Sequence, residues 1–370
     1  MLKGYKYKLI PNQEQMETLS KYFGCVRFIY NWGLEKKIKS HKECGKPIGY
    51  VQLSSEFTLL KQQKEFEWLK ECPRETLQQS LRNLDAAFSN FFKKNAKYPK
   101  FKAKKHSRDS VKFIQCVHFD FRDWTVKLPK IGKVDLCKNR TFNKATCKQG
   151  TCTVSRDSCG TYWCVVVIDD LQEIPLKAEI RKDNSVGIDL GIKDYAILSD
   201  GTKFSNHKHL ENTKKKLAHL QKVFARKEKG SKNYEKMRFK VAKCHRSIAN
   251  KRNDSLHKLS SYLVNNYKTI CLEDLNVKGM LQNHHLARAI QDASWYEFTR
   301  QLQYKSDWNG DNIIYIGRFE PSSKTCSVCG YKKEDLKLSD RSWVCPQCGT
   351  KHDRDVNAAI NIKEMAFKEK

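Results

Sequence analysis

The chain has 370 residues, with 71 Lys and Arg against 41 Asp and Glu, and its formal net charge at pH 7 is +30. This excess is larger than solubility requires and indicates a polyanionic partner, while a content of 39% hydrophobic residues excludes a disordered basic tail. The length predicts two or three domains, and no segment reaches the roughly 18 consecutive apolar residues that a transmembrane helix needs.

The N-terminal segment predicts a strand followed by helices. In residues 3–10, KGYKYKLI, Tyr5, Tyr7 and Leu9 alternate with lysines, which is typical of a half-buried strand. Asn12 is a candidate N-cap, and apolar residues then recur at helical spacing. The helical pattern continues to about Phe92 and predicts a helical subdomain.

The next segments carry basic and then alternating patterns. FFKKNAKYPKFKAKKHSRDSVKF places aromatic residues among lysines, which suits phosphate contacts and base stacking but equally suits a solvated loop. Residues 111–170 alternate with period two and predict a small β-barrel or sheet, completed by the N-terminal strand. We predict turns at Lys148-Gln149-Gly150 and at residues 157–160.

A new domain is predicted to begin near residue 181. SVGIDLGIKDYAILSDG, residues 185–201, predicts two strands around a tight turn at Gly191. Residues 206–262 contain 17 Lys and Arg against four Asp and Glu, and their spacing predicts long helices interrupted at Gly230-Ser231. This charge density indicates an anion that lies along the helices.

Three acidic residues are candidates for catalysis because each lies at the end of an apolar segment or directly after one. They are Asp189 in VGIDLG, Glu273 after TICL, and Asp355 at the start of DVNAAINI. Carboxylates on two strands and one helix can converge and bind two divalent cations about 3.5–4 Å apart, which suits phosphodiester hydrolysis. Oxygen ligands favour Mg²⁺ or Mn²⁺. No Walker motif, HExxH or Gly-x-Ser-x-Gly motif occurs in the chain.

Four of the 15 cysteines have the spacing of a structural zinc site. Cys326, Cys329, Cys345 and Cys348 form two Cys-x-x-Cys pairs with 15 residues between them. Gly330 and Gly349 suit the turns that follow such pairs. His352 could be a further ligand, but beside a zinc module we interpret it as a surface residue. The odd number of cysteines, together with the lack of an apolar segment after MLKGYKYKLIP, predicts a reducing, cytoplasmic and nucleoid-associated location.

These motifs resemble those of a known family. VGIDLGIKDYAILSDG, CLEDLN and CSVCG…CPQCGTKHDRDVNAAINI are similar to the three RuvC motifs and the zinc ribbon of the TnpB family, the transposon-encoded relatives of type V CRISPR nucleases. YKYKLIPNQEQ…FGCVRFIYNW, LQQSLRNLDAAFSNFF and YPKFKAKK also resemble that family. The similarity therefore extends over nearly the whole chain.

The resemblance implies an α/β multidomain protein: an RNase H-like (RuvC) nuclease domain with an inserted zinc ribbon, a wedge β-barrel and a helical recognition domain. We expect the following boundaries: residues 1–11 for the first wedge strand, 12–104 for the recognition domain, 105–180 for the wedge barrel, 181–320 and 351–370 for the nuclease domain, and 321–350 for the zinc ribbon.

The resemblance also implies the function. It predicts an RNA-guided, metal-dependent endonuclease that cleaves double-stranded DNA next to a short transposon-adjacent motif, with a guide RNA from the transposon end. Asp189, Glu273 and Asp355 would be the catalytic triad, with Asp355 preferred to Asp353. Two Mg²⁺ or Mn²⁺ ions and one structural Zn²⁺ would be bound. Tyr50, Ser54 and Gln78 would contact the adjacent motif.

Three alternatives remain open at the level of sequence. Charge alone also suits a basic structural protein of the ribosome or of chromatin. A guide-dependent DNA-binding repressor with a silent nuclease site would conserve the same architecture without cleavage. A RuvC-like nuclease that acts on branched DNA without a guide would use the same three acids.

Overall fold

A computed structural model describes residues 1–104, 108–143, 146–318, 320–337 and 340–368. The chain forms two compact units, Met1–Gln172 and Glu173–Lys370. The architecture is mixed α/β, as the sequence predicts. Within the described ranges, no helix is both long and apolar enough to cross a membrane.

The first unit combines helices with one antiparallel sheet of seven strands in the order β2-β6-β7-β1-β5-β4-β3. A 3-10 helix over Lys64–Glu71 lies between the second and third α-helices. The helices are α1 (Gln13–Cys44), α2 (Tyr50–Leu60) and α3 (Arg74–Phe92). The strands are β1 (Leu2–Ile10), β2 (Asp109–Phe113), β3 (His118–Asp120), β4 (Thr125–Leu128), β5 (Gly132–Leu136), β6 (Lys148–Arg156) and β7 (Tyr162–Asp169).

The N-terminal predictions are confirmed in the first unit. β1 pairs with β7 on one side and with β5 on the other, so the first strand does complete the sheet. Asn12 caps α1, because its side chain accepts a hydrogen bond from the Gln15 backbone N–H at 2.9 Å. Tyr7 and Leu9 from the sheet, together with Leu19 from α1, are buried in one shared core.

One of the two predicted turns in this sheet is wrong. Lys148-Gln149-Gly150 is not a turn but the beginning of β6, and the pairing with β7 shifts between Gln149 and Cys152. A Cβ atom at Gly150 would lie 3.1 Å from the Val167 carbonyl oxygen, so glycine permits close strand pairing here. The turn at residues 157–160 is confirmed by a hydrogen bond from the Gly160 N–H to the Asp157 carbonyl.

The barrel and the basic aromatic segment remain only partly described. The edge strands β2 and β3 do not pair with each other in the part of the chain that the structure describes, so the wedge barrel stays a prediction. In the basic aromatic segment, the rings of Phe91 and Tyr98 meet edge to face at 5.2 Å. Lys102 lies 3.7 Å from the centre of the Tyr30 ring. Residues 105–107 of that segment lie outside the described residues.

The second unit has a five-stranded sheet in the order β10-β9-β8-β11-β12, with helices on both faces, and a separate two-stranded sheet. The strands are β8 (Ser185–Leu190), β9 (Asp194–Leu198), β10 (Lys203–Ser205), β11 (Thr269–Glu273), β12 (Asn312–Ile316), β13 (Ser342–Val344) and β14 (Lys351–Asp353). The helices are α4 (His209–Ala225), α5 (Lys232–Asn266), α6 (Val277–Met280), α7 (Ala287–Ala293), α8 (Trp295–Asn309) and α9 (Arg354–Ala366).

The two faces of this sheet are covered by different helices. Val186 and Ile270 are buried on one face against α5, α7 and α8, with Leu263 and Phe298 in the same core. On the other face, Cys271 packs against Ile362 of α9. The predicted turn at Gly191 and the helix break at Gly230-Ser231 are both present. Helices α5, α7 and α8 thus cover one face of the sheet, and α9 covers the other.

Candidate active site

The first two acids are brought together by parallel pairing of β8 and β11. Ile188 is opposite Leu272 in the register, and one further residue along each strand brings Asp189 beside Glu273. Because parallel strands end at the same edge of a sheet, both side chains lie at the carboxyl end of the central strands. Sheets of this class bind ligands at that edge.

The alternation of side chains determines which face the acids occupy. Val186 and Ile188 face the large helical core, whereas Gly187 and Cys271 face α9. Asp189 and Glu273 follow at period two and therefore share the α9 face. Asp355 is in the first turn of α9. The three predicted acids thus converge at one end of the sheet, beneath the start of α9.

The electrostatics of Asp189 show how close the acids are. Burial, followed by the negative charges of Glu273 and Asp355, raises the pKa of Asp189 to about 7, while Arg354 and Arg341 act in the opposite direction. Arg341 also lies 3.5 Å from a carboxylate oxygen of Asp355. The negative charges of Glu273 and Asp355 therefore both act on Asp189 at this end of the sheet.

Asp353 has a different role from Asp355. Its carboxylate caps α9 by accepting hydrogen bonds from the backbone N–H groups of Asp355 and Val356, and it forms an ion pair with Lys203 at 2.6 Å. Burial raises the pKa of Asp353, but the hydrogen bonds from Lys203 and Val356 outweigh burial and leave the pKa below its ordinary value. Asp353 therefore fixes the start of the helix that carries Asp355.

Ser322 is a site residue that sequence reasoning missed. Its hydroxyl donates a 2.6 Å hydrogen bond to Oε1 of Glu273, and Asn361 of α9 donates to the Ser322 carbonyl at 2.7 Å. The segment is thus fixed to α9 on one side and to the acid on the other. Its place four residues before the first Cys-x-x-Cys pair was the available signal, but a serine in a loop has no distinctive pattern.

The four predicted cysteines form a cluster. One ligand atom from each of Cys326, Cys329, Cys345 and Cys348 lies within 4.8 Å of all the others. The backbone N–H of the glycine after each pair bonds back to the carbonyl of that pair's first cysteine, at 3.0 Å for Gly330 and 2.9 Å for Gly349. Both glycines have positive φ, as zinc knuckles require. Four thiolates in this arrangement suit one tetrahedral zinc ion.

The interpretation of His352 as a surface residue is wrong. The side chain is only 6% exposed, its ring meets that of Trp343 at an angle of 37° with ring centres 4.7 Å apart, and Nε2 lies 3.0 Å from Sγ of Cys326. His352 is in β14, which pairs with β13. The histidine is therefore buried between Cys326 and Trp343, two residues of the core of this module.

The predicted DNA-contact residues lie on facing sides of α2 and α3. Gln78 Nε2 lies 3.5 Å from Ser54 Oγ, and Arg82 Nε donates to the Tyr50 hydroxyl at 3.1 Å. The Arg82 guanidinium also lies over the Tyr50 ring at 5.3 Å. The structure thus brings Tyr50, Ser54 and Gln78 to one helix pair, and their role in DNA contact remains a prediction.

Family comparisons match most of the chain. A family described as "Probable transposase" matches residues 165–284, and "Cas12f1-like, TNB domain" matches residues 295–362. Residues 1–46 match a family described as "Helix-turn-helix domain". In the structure that last segment contains β1 and the single continuous helix α1 rather than two helices and a turn.

Curated relatives are similar over nearly the full length. A Streptomyces pristinaespiralis protein named "Putative RNA-guided DNA endonuclease" is 40% identical over 97% of this chain and 88% of its own. A protein of Escherichia coli K12 with the same description, InsQ, is 33% identical over 98% of this chain and 91% of its own. The "TnpB-like protein L79" of Acanthamoeba polyphaga mimivirus is 31% identical over 51% of this chain and 38% of its own.

Solved structures with a similar fold are compact CRISPR effectors. The Cas12f1 chain of a complex with guide RNA and target DNA has a TM-score of 0.58 at 15% identity, over 95% of this chain and 83% of its own. The mini-RNA-guided endonuclease CRISPR-Cas_phi3 has a TM-score of 0.54 at 8% identity, over 99% of this chain and 92% of its own. At such low identity the similarity establishes the fold alone.

Proposed function

The chain belongs to the TnpB family, and on that basis we propose that it is an RNA-guided, metal-dependent endonuclease that cleaves double-stranded DNA next to a short transposon-adjacent motif. One observation carries this proposal: Asp189, Glu273 and Asp355 converge at the carboxyl end of two parallel strands, beneath the start of α9. Three oxygen-bearing acids at one edge of a sheet suit RuvC-like hydrolysis of a phosphodiester.

The residues present fit divalent cations. The donor set consists of carboxylates alone. Their mutual repulsion contributes to the raised pKa of Asp189, and a bound cation would reduce that repulsion. Hard oxygen donors favour Mg²⁺ or Mn²⁺ over zinc. When bound, two such ions supply Lewis-acid activation of the attacking water and of the scissile phosphate. Asp189, Glu273 and Asp355 would hold them.

The protein's own groups keep these acids in place. Ser322 holds one oxygen of Glu273 through its hydroxyl. Asp353 caps α9 and so positions Asp355 two residues later. Arg341 lies 3.5 Å from a carboxylate oxygen of Asp355, where its positive charge can attract the phosphates of the DNA backbone. Glu273 and Asp355 are therefore held by hydrogen bonds and charge from neighbouring residues.

The cysteine cluster would bind one structural zinc ion with the four thiolates of Cys326, Cys329, Cys345 and Cys348. We assign residues 321–350 to a zinc ribbon inserted between two parts of an RNase H-like nuclease domain, 181–320 and 351–370. Residues 12–104 would form the recognition domain, and residues 1–11 with 105–180 the wedge barrel. In this reading Tyr50, Ser54 and Gln78 contact the adjacent motif.

The charge of the chain supports guidance by RNA. When a guide RNA pairs with one DNA strand, base pairing reads the sequence and the protein mainly binds phosphates. The net charge of +30 and the 17 cations of residues 206–262 suit such a partner. Helices α4 and α5 contain most of these cations, so we propose that they bind the backbone of a guide RNA or its heteroduplex.

The proposal is tested by removing each acid without changing its size. Asp189→Asn, Glu273→Gln and Asp355→Asn should each lower Mg²⁺-dependent plasmid cleavage by at least about a hundredfold, because each removes a metal ligand. Binding of RNA and target DNA should persist. The matched control is Asp183→Asn, which removes an exposed acid of the same unit. Undiminished cleavage by all three variants would refute the assignment, and a wild type that binds but never cleaves would favour a repressor.

A further inference from the structure

Two adjoining cavities of the first unit, with volumes of about 170 and 320 Å³, are bounded by α1, α3, β2 and β6. Phe23, Arg27 and Asp109 line both of them. The smaller cavity is below the roughly 300–1,000 Å³ of small-molecule sites. Apart from Phe23 and Val26, its described lining is polar or charged. It therefore suits a small charged group rather than a drug-sized molecule.

Cationic side chains dominate the lining of these cavities. In the part of the chain that the structure describes, six cations face one carboxylate, that of Asp109. Arg156 donates to this carboxylate through Nε at 3.2 Å and Nη2 at 2.6 Å, and Arg27 lies 3.5 Å from its other oxygen. Because two arginines already neutralise the acid, the lining keeps an excess of positive charge. The six cations are Arg27, Lys102, Lys104, Arg108, Lys112 and Arg156.

The backbone of Lys102 is fixed in this lining by one side chain of α1. The Lys102 N–H donates to Oδ1 of Asn31 at 2.8 Å, and the Lys102 carbonyl accepts from Nδ2 of Asn31 at 2.9 Å. This reciprocal pair of hydrogen bonds attaches the basic aromatic segment to α1. The fold therefore determines where Lys102 stands, which is not so for a lysine on a free surface loop.

The Lys102 ammonium forms no ion pair within the described residues. It lies 3.7 Å from the centre of the Tyr30 ring, and a ring attracts a cation without neutralising it. Burial lowers the pKa of Lys102, so an anion beside it would offset the cost of burying its charge. Arg108 has only a long hydrogen bond, 3.5 Å, to the Ser155 hydroxyl among the residues that the structure describes. Both cations are thus available to an anionic ligand.

Neutral hydrogen-bond donors complete the lining. Nε2 of Gln79 donates to Oδ1 of Asn83 at 2.9 Å, which leaves the amide N–H groups of Asn83 to donate to a ligand. The Thr153 hydroxyl of β6 belongs to the same lining. Lysine and arginine together with amide and hydroxyl donors are the groups that contact phosphate oxygens in protein–nucleic-acid complexes. The lining therefore has the chemistry of a phosphate site.

We propose that these cavities bind one backbone phosphate of a nucleic-acid strand, through the Lys102 ammonium, the Arg108 guanidinium and the Asn83 amide. The sequence of the basic aromatic segment suits phosphate contacts and a solvated loop equally, and this proposal decides for phosphate contacts. The inference rests on the proposed function only in naming nucleic acid as the partner. Guide RNA and DNA present the same phosphodiester group, so the experiment distinguishes these two sources.

The salt dependence of binding tests the site without a guide. Labelled single-stranded RNA and duplex DNA of one length are each titrated with the full chain, in the Asp189→Asn background, at several KCl concentrations. For the nucleic acid that occupies the site, Lys102→Met should reduce the slope of log affinity against log salt by about 0.7–0.9, because one phosphate contact is lost. If the affinities converge at about 1 M KCl, binding at about 0.1 M is roughly five- to eightfold weaker. The matched control is Lys39→Met on α1 (69% exposed side chain), which should keep the wild-type slope.

Asn31→Ala separates a built site from diffuse positive charge. It keeps every cation but releases the backbone of Lys102, so it should weaken binding about as much as Lys102→Met does, and the double variant should bind little weaker than either. Lys102→Arg keeps the charge and should restore most of the slope. Equal slopes for Lys102→Met and Lys39→Met with both RNA and DNA would overturn the proposal, as would wild-type binding by Asn31→Ala.

A second arm identifies the phosphate that is bound. With a guide and a matching target, single phosphates of the guide RNA or of either DNA strand are replaced by uncharged methylphosphonates. One position should weaken binding by the wild-type chain without weakening binding by Lys102→Met further, and the lack of any such position would overturn the proposal. Failure of RNA guidance would leave the salt slopes of the first arm intact, and failure of the phosphate site would leave guided cleavage intact.

Discussion

Single hydrogen bonds orient the carboxylates of the candidate site, as the contact between Ser322 and Glu273 illustrates. The Ser322 hydroxyl holds Oε1 of Glu273. Ser322→Ala should raise the Mg²⁺ concentration needed for half-maximal cleavage and lower activity by about 10- to 100-fold, as loss of a residue that orients a metal ligand does. Ser323→Ala, one residue further along, is the control. Equal Mg²⁺ titrations for the two variants would show that Ser322 does not position Glu273.

Lys305 predicts a pH dependence of stability. This α8 residue is nearly buried and donates to the His257 carbonyl and to the Ser260 hydroxyl of α5. Burial lowers the pKa of Lys305 to about 8 from an ordinary value of 10.5. Between pH 8 and 10.5 Lys305 therefore binds more protons in the unfolded chain than in the native chain, and its contribution to the free energy of unfolding rises with pH in that window.

Lys305→Met should remove this rise, whereas Lys258→Met, at an exposed position of α5 (76% for the side chain), should keep it. Each variant is equilibrated in urea at several pH values, and a hydrogen-exchange pulse at one fixed pH then labels the backbone amides that are unprotected. The urea concentration at which half of the α5 and α8 amides are labelled is the midpoint that is compared between variants. A difference between the wild-type and Lys305→Met midpoints that stays constant from pH 8 to 10.5 would contradict the assignment.

At the residue scale, the sequence predicted the acids better than their supports. Asp189 and Glu273 end apolar strands, and Asp355 begins a helical pattern, so their placement follows from local periodicity. Ser322 acts through a contact with Glu273, 49 residues away in sequence. The burial of His352 was not predicted, because it depends on contacts with the Trp343 ring and with Cys326. Contacts between segments that are far apart in the sequence produce no periodic pattern, so the sequence alone did not predict them.

At the scale of elements, α9 packs closely against β8 at Gly187. A Cβ atom at Gly187 would lie 2.1 Å from the Ala359 carbonyl oxygen and 2.7 Å from the Lys363 backbone nitrogen. Gly187→Ala should therefore displace α9, lower the free energy of unfolding by ~1–3 kcal/mol and reduce cleavage, since α9 carries Asp355. Gly4→Ala in β1 meets nothing within 4 Å and is the control. Chemical denaturation and plasmid cleavage measure both effects, and a neutral Gly187→Ala would contradict this packing.

The zinc module should control the position of α9. Asn357 of α9 accepts the Ser327 N–H at 2.9 Å and donates to the Thr325 carbonyl at 2.7 Å, and both partners adjoin Cys326. Cys345→Ser should abolish stoichiometric zinc and lower cleavage by about tenfold or more, because the module loses its centre. Cys44→Ser, an exposed cysteine at the end of α1, should change neither. Metal analysis measures the bound zinc, and plasmid cleavage measures the activity. Full activity of zinc-free Cys345→Ser would refute the claim that the zinc module controls the position of α9.

At the element scale, most strands and helices were predictable, because capping at Asn12 and alternation around Gly191 are local signals. The turn predicted at residues 148–150 failed for a physical reason. Glycine there serves the shifted pairing of β6 with β7, and a sequence cannot separate that use from a turn. Pairing of β11 with both β8 and β12 brings segments together over long distances in the chain, and no local pattern specifies it.

For the whole molecule, charge and architecture point to the same partner. A net charge of +30 suits a polyanionic partner, and the three acids of the second unit suit the proposed hydrolysis of a phosphodiester. The composition predicted a polyanionic partner, and the resemblance to the TnpB family predicted that this partner is nucleic acid. A cavity of the second unit, lined by Phe204, Tyr262 and Arg252 among others, was not predictable, because its lining comes from five separate elements.

Exchange of the guide tests the central claim most directly. The chain is purified with its copurifying RNA, the guide segment of that RNA is replaced, and plasmids that match the old or the new guide are offered with Mg²⁺. The account predicts that cleavage moves to the plasmid that matches the new guide and disappears in Asp189→Asn. Cleavage that ignores the guide, or that proceeds equally on branched DNA without RNA, would contradict it.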